Sequence, residues 1–278
     1  MFCDIETAER IEASERALVR AGAERVAARR PDAGTFVVPC ASGLAVYADT
    51  GSPLNKIVGA GMRRGFDENE LATAEEAFFS QGVPVQAEVS SLAPHDLGEA
   101  LTRRGYALTG FENLLGMPLT PRSEPAQHGV DISEVDEANA DVWIATLTDG
   151  FLAPDGSGVE SHESYDRGAL KRVFADFIGV PGFVPLLAMI DGAPAGASGV
   201  RLHEGVATLC GTATLREKRR RGVQSALLSH RLALAAREGC DLAIVTTQPG
   251  SASMANAVRA GFTLLYARAI LVREPPER

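Results

Sequence analysis

Arg219-Arg220-Arg221-Gly222-Val223-Gln224-Ser225 lies between a β-rich stretch and an amphipathic helix. Val206 to Thr214, before it, is rich in Val, Thr and Ala; after it Ala226, Leu227, Leu228, Leu232 and Leu234 recur at helical spacing. A strand that feeds a basic, glycine-containing turn and then a helix start makes an anion site. Free backbone N–H groups, the positive end of the helix dipole and arginine side chains all point one way. The whole chain carries a net charge of −9, so this cationic spot is not background.

Working outward, Phe183 to Ile190 reads as a strand, Asp191-Gly192 as a hairpin turn, Ala195 to Leu202 as the returning strand and Glu204-Gly205 as a second tight turn. Gly239 stands where a helix stop is preferred. Leu242 to Thr247 is a near-continuous apolar run, typical of a strand buried on both faces. Pro249-Gly250 breaks it, Ser251 or Ser253 begins another helix ending at Gly261, and Phe262 to Val272 supplies the last strands. Upstream, Ser133 with Asp136 resembles a capping box for a helix to about Thr148, with Val135, Val142, Ile144 and Leu147 on its apolar side. Ala153 to Asp166 reads as a polar loop or broken helix, and Leu170 to Ile178 as a short helix.

Pro118 to Gly129 has three prolines and no periodicity, which predicts a linker over 121–128 and domains over 1–120 and 129–278. The first half echoes the second. Gly65 and Gly222 differ by 157 positions, as do Gly82 and Gly239, and Leu101 to Tyr106 resembles Ala257 to Phe262 at an offset of 156. Three landmarks in register predict an internal duplication, against coincidence between common helix–Gly–strand patterns. After Gly65, however, come Asp67, Glu68 and Glu70, which suit a helix dipole but repel phosphate. That predicts a dead anion site in the first copy.

Composition narrows the classes. Hydrophobic residues make up 45% and charged ones 23%, as in a chain with ample core. The acidic balance argues against nucleic-acid or anionic-membrane binding. Cys3, Cys40, Cys210 and Cys240 lack CxxC spacing, so neither a metal site nor a disulfide framework is expected. The charged N-terminus shows no signal peptide, no run is long enough to span a bilayer, and the default expectation is cytoplasmic. A nucleotide P-loop is set aside, since Gly-x-x-x-x-Gly-Lys-Ser/Thr is absent.

With these residues in place, 129–278 resembles the GNAT superfamily of acyl-CoA-dependent N-acyltransferases. That family's pyrophosphate loop, Arg/Gln-x-x-Gly-x-Gly/Ala, is matched by Arg219-x-x-Gly222-x-Gln224, with Gln in the last position where Gly or Ala is usual. The helix–Gly–Phe ending at Gly261-Phe262 is a second landmark. The resemblance implies an α/β fold with a mixed (α+β) sheet: two GNAT-like domains, each a mostly antiparallel central sheet flanked by helices, the first degenerate. It implies acetyl-CoA as co-substrate and no metal. Backbone at Thr212, Ala213 and Thr214 would pair with the pantetheine arm, and N–H groups of Arg221, Gly222, Val223, Gln224 and Ser225 would hold the pyrophosphate. Arg219 and Arg220 would meet phosphates, and Asn256 would touch the CoA arm.

The chemistry needs a neutral amine, a polarised thioester carbonyl and a proton for the leaving thiolate. The tyrosine that many relatives use as acid would fall at Ala257, so it is absent. Ser253, one turn earlier, is the replacement, against a bland reading as helix cap. No acid lies inside Val206 to Thr214. The base is sought among His162, Glu163, Glu160 and Asp166, with Tyr165 lining the acceptor pocket, against the plainer reading of a solvated loop. Glu204, His203 and His230 read as surface residues, and Trp143 as core. Two functions follow: an N-acetyltransferase acting on a small-molecule or peptide amine in a ternary complex, or a non-catalytic acyl-CoA sensor or interaction module. In the first, the N-terminal domain would shape the acceptor site or a homodimer interface.

Overall fold

The computed structural model describes residues 1–63, 65–120, 129–154 and 166–277. The elements in chain order are α1 (Ile5–Arg29), β1 (Phe36–Cys40), β2 (Gly43–Tyr47), β3 (Lys56–Ala60), α2 (Glu68–Ser80), β4 (Val85–Ser90), α3 (His95–Arg103) and β5 (Ala107–Pro118). They continue with β6 (Asp131–Glu134), α4 (Ala140–Phe151), α5 (Arg167–Phe177), β7 (Phe183–Ile190), β8 (Ala193–His203) and β9 (Val206–Thr214). The last are α6 (Val223–Arg237), β10 (Leu242–Thr247), α7 (Ala252–Arg259) and β11 (Thr263–Arg273). They form two compact units: 2–114 with 264–278, and 115–263 apart from a short stretch outside the described residues.

In the N-terminal unit the strands run β1-β2-β3-β4-β11, followed by the first part of β5. Every pairing from β1 to β11 is antiparallel except β3 with β4. Ala41 and Ser42 turn the first hairpin with φ of 49° and 63°, the left-handed pair that a tight hairpin needs. One face packs Leu71, Ala74 and Phe78 of α2 and Leu97, Ala100 and Leu101 of α3 on Ala45, Ile57, Ala87 and Leu271. Helix α1 is capped by Asp4, whose side chain accepts from Thr7 N, and buries Ala8, Ile11, Leu18, Val19, Ala23 and Val26 at three- and four-residue spacing.

The C-terminal unit also has one parallel pair beside antiparallel ones. Its order is the last part of β5, then β10-β9-β8-β7-β6, with β10 parallel to β9 and the rest from β9 to β6 antiparallel. Asp191-Gly192 and Glu204-Gly205 make the two expected hairpins, all four residues at positive φ. Trp143 and Leu147 of α4 and Leu170, Val173 and Phe174 of α5 cover one face, against Leu187, Ala197 and Ala213. Val223 and Leu227 of α6 meet Leu186, Ala188 and Ala195 on the other. Leu232, Leu234 and Ala235 continue that layer with Ala257 of α7, Leu115, Met117 and Phe262. The expected mixed sheet flanked by helices is thus present in each unit.

Two expectations need correction. Ser133 does not cap a helix: it sits in edge strand β6, opposite Leu187. The turn before α4 is made instead by Asp136, which accepts from Ala138 N and Asn139 N, while Asn139 Oδ1 accepts from Asp136 N. Cross-strand pairing outweighed a local capping pattern, and Val142 is left exposed. The final strand, in turn, belongs to the other unit: β11 pairs with β4, Ile270 opposite Glu88 and Arg268 opposite Ser90.

Candidate functional site

The basic turn is where the sequence placed it. Its strand, β9, pairs with β8 in register except at one point, between Ser198/Thr212 and Gly199/Cys210, where Gly211 is the extra residue. Gly211 has φ of 54°, so the bulge uses a conformation that a side chain would strain. On its other edge β9 runs parallel to β10 only through Leu242↔Val206, Ala243↔Ala207 and Ile244↔Thr208. Beyond Thr208 the two strands no longer pair, and β9 goes from buried at Leu209 to half-buried at Cys210, Gly211 and Thr212. Between two parallel strands, such a gap leaves backbone donors and acceptors for an extended ligand.

Face assignment follows from packing. A Cβ on Gly196 would meet Val223 of α6 and one on Gly150 would meet Ala213 Cβ. Thr214, opposite Gly196, therefore faces α6, and Ala213 faces α4. Trp143 fixes the α4 side by donating from Nε1 to Ser198 O at 3.0 Å and is fully buried.

After β9 a short 3-10 turn, Arg216–Lys218, leads to the loop. Arg220 and Gly222 both take positive φ, 62° and 79°. Gly222 is the N-cap of α6 and supplies no side-chain acceptor. Side chains cap α1 (Asp4), α2 (Asp67), α5 (Asp166) and α7 (Ser251), while α3 and α4, like α6, have no side-chain cap. The N–H groups of the first α6 turn have no such cap, and five of the six residues 216–221 are cationic. Partial positive charge and full positive charge thus gather at one helix start.

The side chains around it are tied down. Arg219 Nη2 donates to Ala153 O, just past α4, and Arg221 Nη2 to Asp191 Oδ2 at 3.4 Å in the β7–β8 turn. Gln224, the irregular residue of the loop, accepts from Asn256 Nδ2, and Asn256 Oδ1 accepts from Arg259. Its amide therefore points to α7, leaving its N–H at the helix start. Asn256 sits in this chain of bonds. Ser251 is the cap of α7, accepting from Met254 N at 3.1 Å, so Ser253 is not needed as cap and is exposed in the first turn. Ala257 is buried. Glu160, His162, Glu163 and Tyr165 lie outside the described residues, as does Arg64. Asp166 is committed to capping α5, where accepting from Ala169 and Gly168 N–H holds its carboxyl below the usual range.

The corresponding helix start in the N-terminal unit is chemically closed. Asp67 accepts from Asn69 N, Glu70 Oε2 accepts from Ala41 N, and Arg63 is paired with Glu9 at 2.7 Å. Among the buried polar groups that sequence reasoning missed, two stand out. One is Arg231 of α6. The other is the Glu12–Arg268–Glu88–Lys56 group under α1; only its charged residue types in apolar stretches signalled it. Among the described residues no cluster of three or more His, Cys, Asp or Glu is placed to hold a metal, and no helix is long and apolar enough to cross a membrane.

No curated protein matches the chain. Among solved structures, it resembles a GCN5-related N-acetyltransferase from Kribbella flavida (TM-score 0.63, 19% identity, 92% of this chain and 96% of that one). A GCN5-related N-acetyltransferase from Sphaerobacter thermophilus gives 0.57 at 15% identity, over 87% and 76%. A tandem GNAT protein from the clavulanic acid biosynthesis pathway gives 0.57 at 17%, over 85% and 79%. At these identities the shared property is the fold. Residues 149–262, from the end of α4 through the basic turn to Phe262, match the model of the acetyltransferase (GNAT) family.

Proposed function

We propose that this chain is an acyl-CoA-dependent N-acyltransferase. It moves an acetyl group from acetyl-CoA to a primary amine by direct attack in a ternary complex. The carrying observation is the uncapped, cation-rich start of α6 beside the edge that β9 frees when β10 leaves it. On this reading the N–H groups of Arg221 to Ser225 hold the pyrophosphate, with Arg219 and Arg220 meeting phosphates. Backbone at Thr212, Ala213 and Thr214 pairs with the pantetheine arm and polarises the thioester carbonyl. Asn256 touches the arm, Ser253 returns a proton to the thiolate, and His162 and Glu163 serve the amine as base.

The same reading makes 1–120 a degenerate GNAT-like copy and 129–278 the acyl-CoA-binding domain, joined by 121–128, except that 115–120 belongs to the second unit and 264–277 to the first. The single parallel pair that each unit carries beside antiparallel ones, β3/β4 and β9/β10, supports it. So do the carboxylates that occupy the first copy's helix start. A competing reading, an acyl-CoA sensor without turnover, draws on one observation: Ala257 is buried and offers no proton where relatives often carry a tyrosine. Thiol release from acetyl-CoA across a panel of amines separates the two. Release that depends on an amine is expected; tight CoA binding without release on any acceptor overturns the enzyme reading.

A further inference from the structure

Arg231 is 4% exposed, two turns into α6 from the basic loop. It donates from Nε to Leu227 O and from Nη1 to Gly199 O, each at 3.3 Å. Burial pushes its guanidinium down to about 10, with Cys210 the titratable group that offsets this. A charge held this deep by carbonyls instead of a carboxylate is costly to fold around. Its position gives the reason to keep it. Gly199 is the β8 residue at the bulge, opposite Cys210 and next to the unpaired Gly211. The bulge redirects β9 just where it has parted from β10.

We propose that Arg231 is a positioning residue for the acyl end of the ligand slot. It holds the Gly199–Gly211 bulge from behind, so that α6 fixes the phosphate end through its first turn and the thioester end through Arg231. This rests on the acyl-CoA reading for the ligand, but not for the mechanical role. The two ends differ in what they need. Adenosine 3′,5′-bisphosphate, the nucleotide end of CoA without its arm, requires only the phosphate cradle. A thioester carbonyl requires the N–H groups of β9 in one geometry as well.

The test compares the wild type with Arg231→Met, which keeps similar length and leaves no buried charge behind. Hydrogen exchange on the unliganded protein should rise about tenfold at Gly211 to Thr214 of β9 while α6 stays protected. By calorimetry, acetyl-CoA should bind about tenfold more weakly, the scale of one charged hydrogen bond, and adenosine 3′,5′-bisphosphate, which has no pantetheine arm, within about twofold of wild type. Unchanged exchange at the bulge, or equal weakening of both ligands with exchange raised throughout the unit, overturns the proposal. If the wild type binds neither ligand, the acyl-CoA reading has failed, and the exchange measurement still decides the role of Arg231. Should Arg231→Met not fold, Arg231→Gln, two bonds shorter than arginine and uncharged, must show the same local rise; its absence overturns the proposal.

Discussion

At residue scale, Gly222 carries two demands at once. Its φ of 79° is open to glycine and strained for other residues, and its lack of a side chain leaves the first α6 turn open. Gly222→Glu strains the turn and places a carboxylate where phosphate would bind. CoA affinity, measured by calorimetry, should fall by more than about tenfold; retained affinity would move the phosphate site elsewhere. Ser253 is tested by a split in kinetics. Because Ser251 makes the cap, Ser253→Ala should leave stability and CoA affinity near wild type. It should lower the rate of thiol release about a hundredfold if the hydroxyl protonates the thiolate. An unchanged rate removes Ser253 from the chemistry. The basic turn was legible because its signals are local: three arginines, one glycine and the helical spacing after it. Arg231 was not, since nothing nearby in sequence marks an arginine as folded inward onto a strand of the same unit.

Among elements, the reading succeeded where a hairpin or cap is decided within a few residues. Asp191-Gly192, Glu204-Gly205 and Gly239 are of this kind. Ser133 failed because a strand at the sheet edge is decided by its partner β7, with Leu187, its own partner, 54 residues on. The partner of β11 was equally hidden, and its burial explains why it matters. Arg268 Nε lies 2.9 Å from Glu12 Oε1, and Tyr266 OH donates to the same oxygen at 2.6 Å. Glu88 Oε1 meets Lys56 Nζ at 2.6 Å, and its Oε2 lies 3.5 Å from Arg268 Nη1. Burial alone would raise the Glu88 carboxyl, but Lys56 and Arg268 outweigh it and leave it below its ordinary value. The sign follows: a carboxyl bound more tightly as the anion in the fold contributes stability that is fully present above its unfolded pKa. That contribution is lost as pH falls through the folded pKa. Urea midpoints should therefore drop as pH is lowered from neutral through the carboxylate range. Glu88→Gln should be less stable at neutral pH and show a shallower slope. Parallel slopes in the two proteins would remove Glu88 from acid sensitivity.

For the whole molecule, chain order and unit membership part company. Residues 264–277 close the sheet of the N-terminal unit, whereas Leu115, Met117 and Leu119, ahead of 121–128, lie in the core of the C-terminal one. Leu119 N donates to Asp241 O and Thr263 Oγ1 to Gly116 O, so this early segment is also bonded there. A cut at 121–128 therefore separates each unit from a strand it needs. Ending the chain at Thr263 removes the partner of β4 and takes Arg268 away from Glu12 and Glu88, leaving two buried carboxylates with less compensation. Breaking such a buried group costs about 3–5 kcal/mol, a large part of a domain's net stability. The truncated protein should lose hydrogen-exchange protection across β1 to β4 and α1 to α3. Residues 115–263 should keep theirs, and with it whatever CoA affinity the full chain has. Arg268→Met, which spares the strand, should show a milder loss in the same elements. Protection retained throughout after truncation would mean that β11 adds to a unit already complete without it.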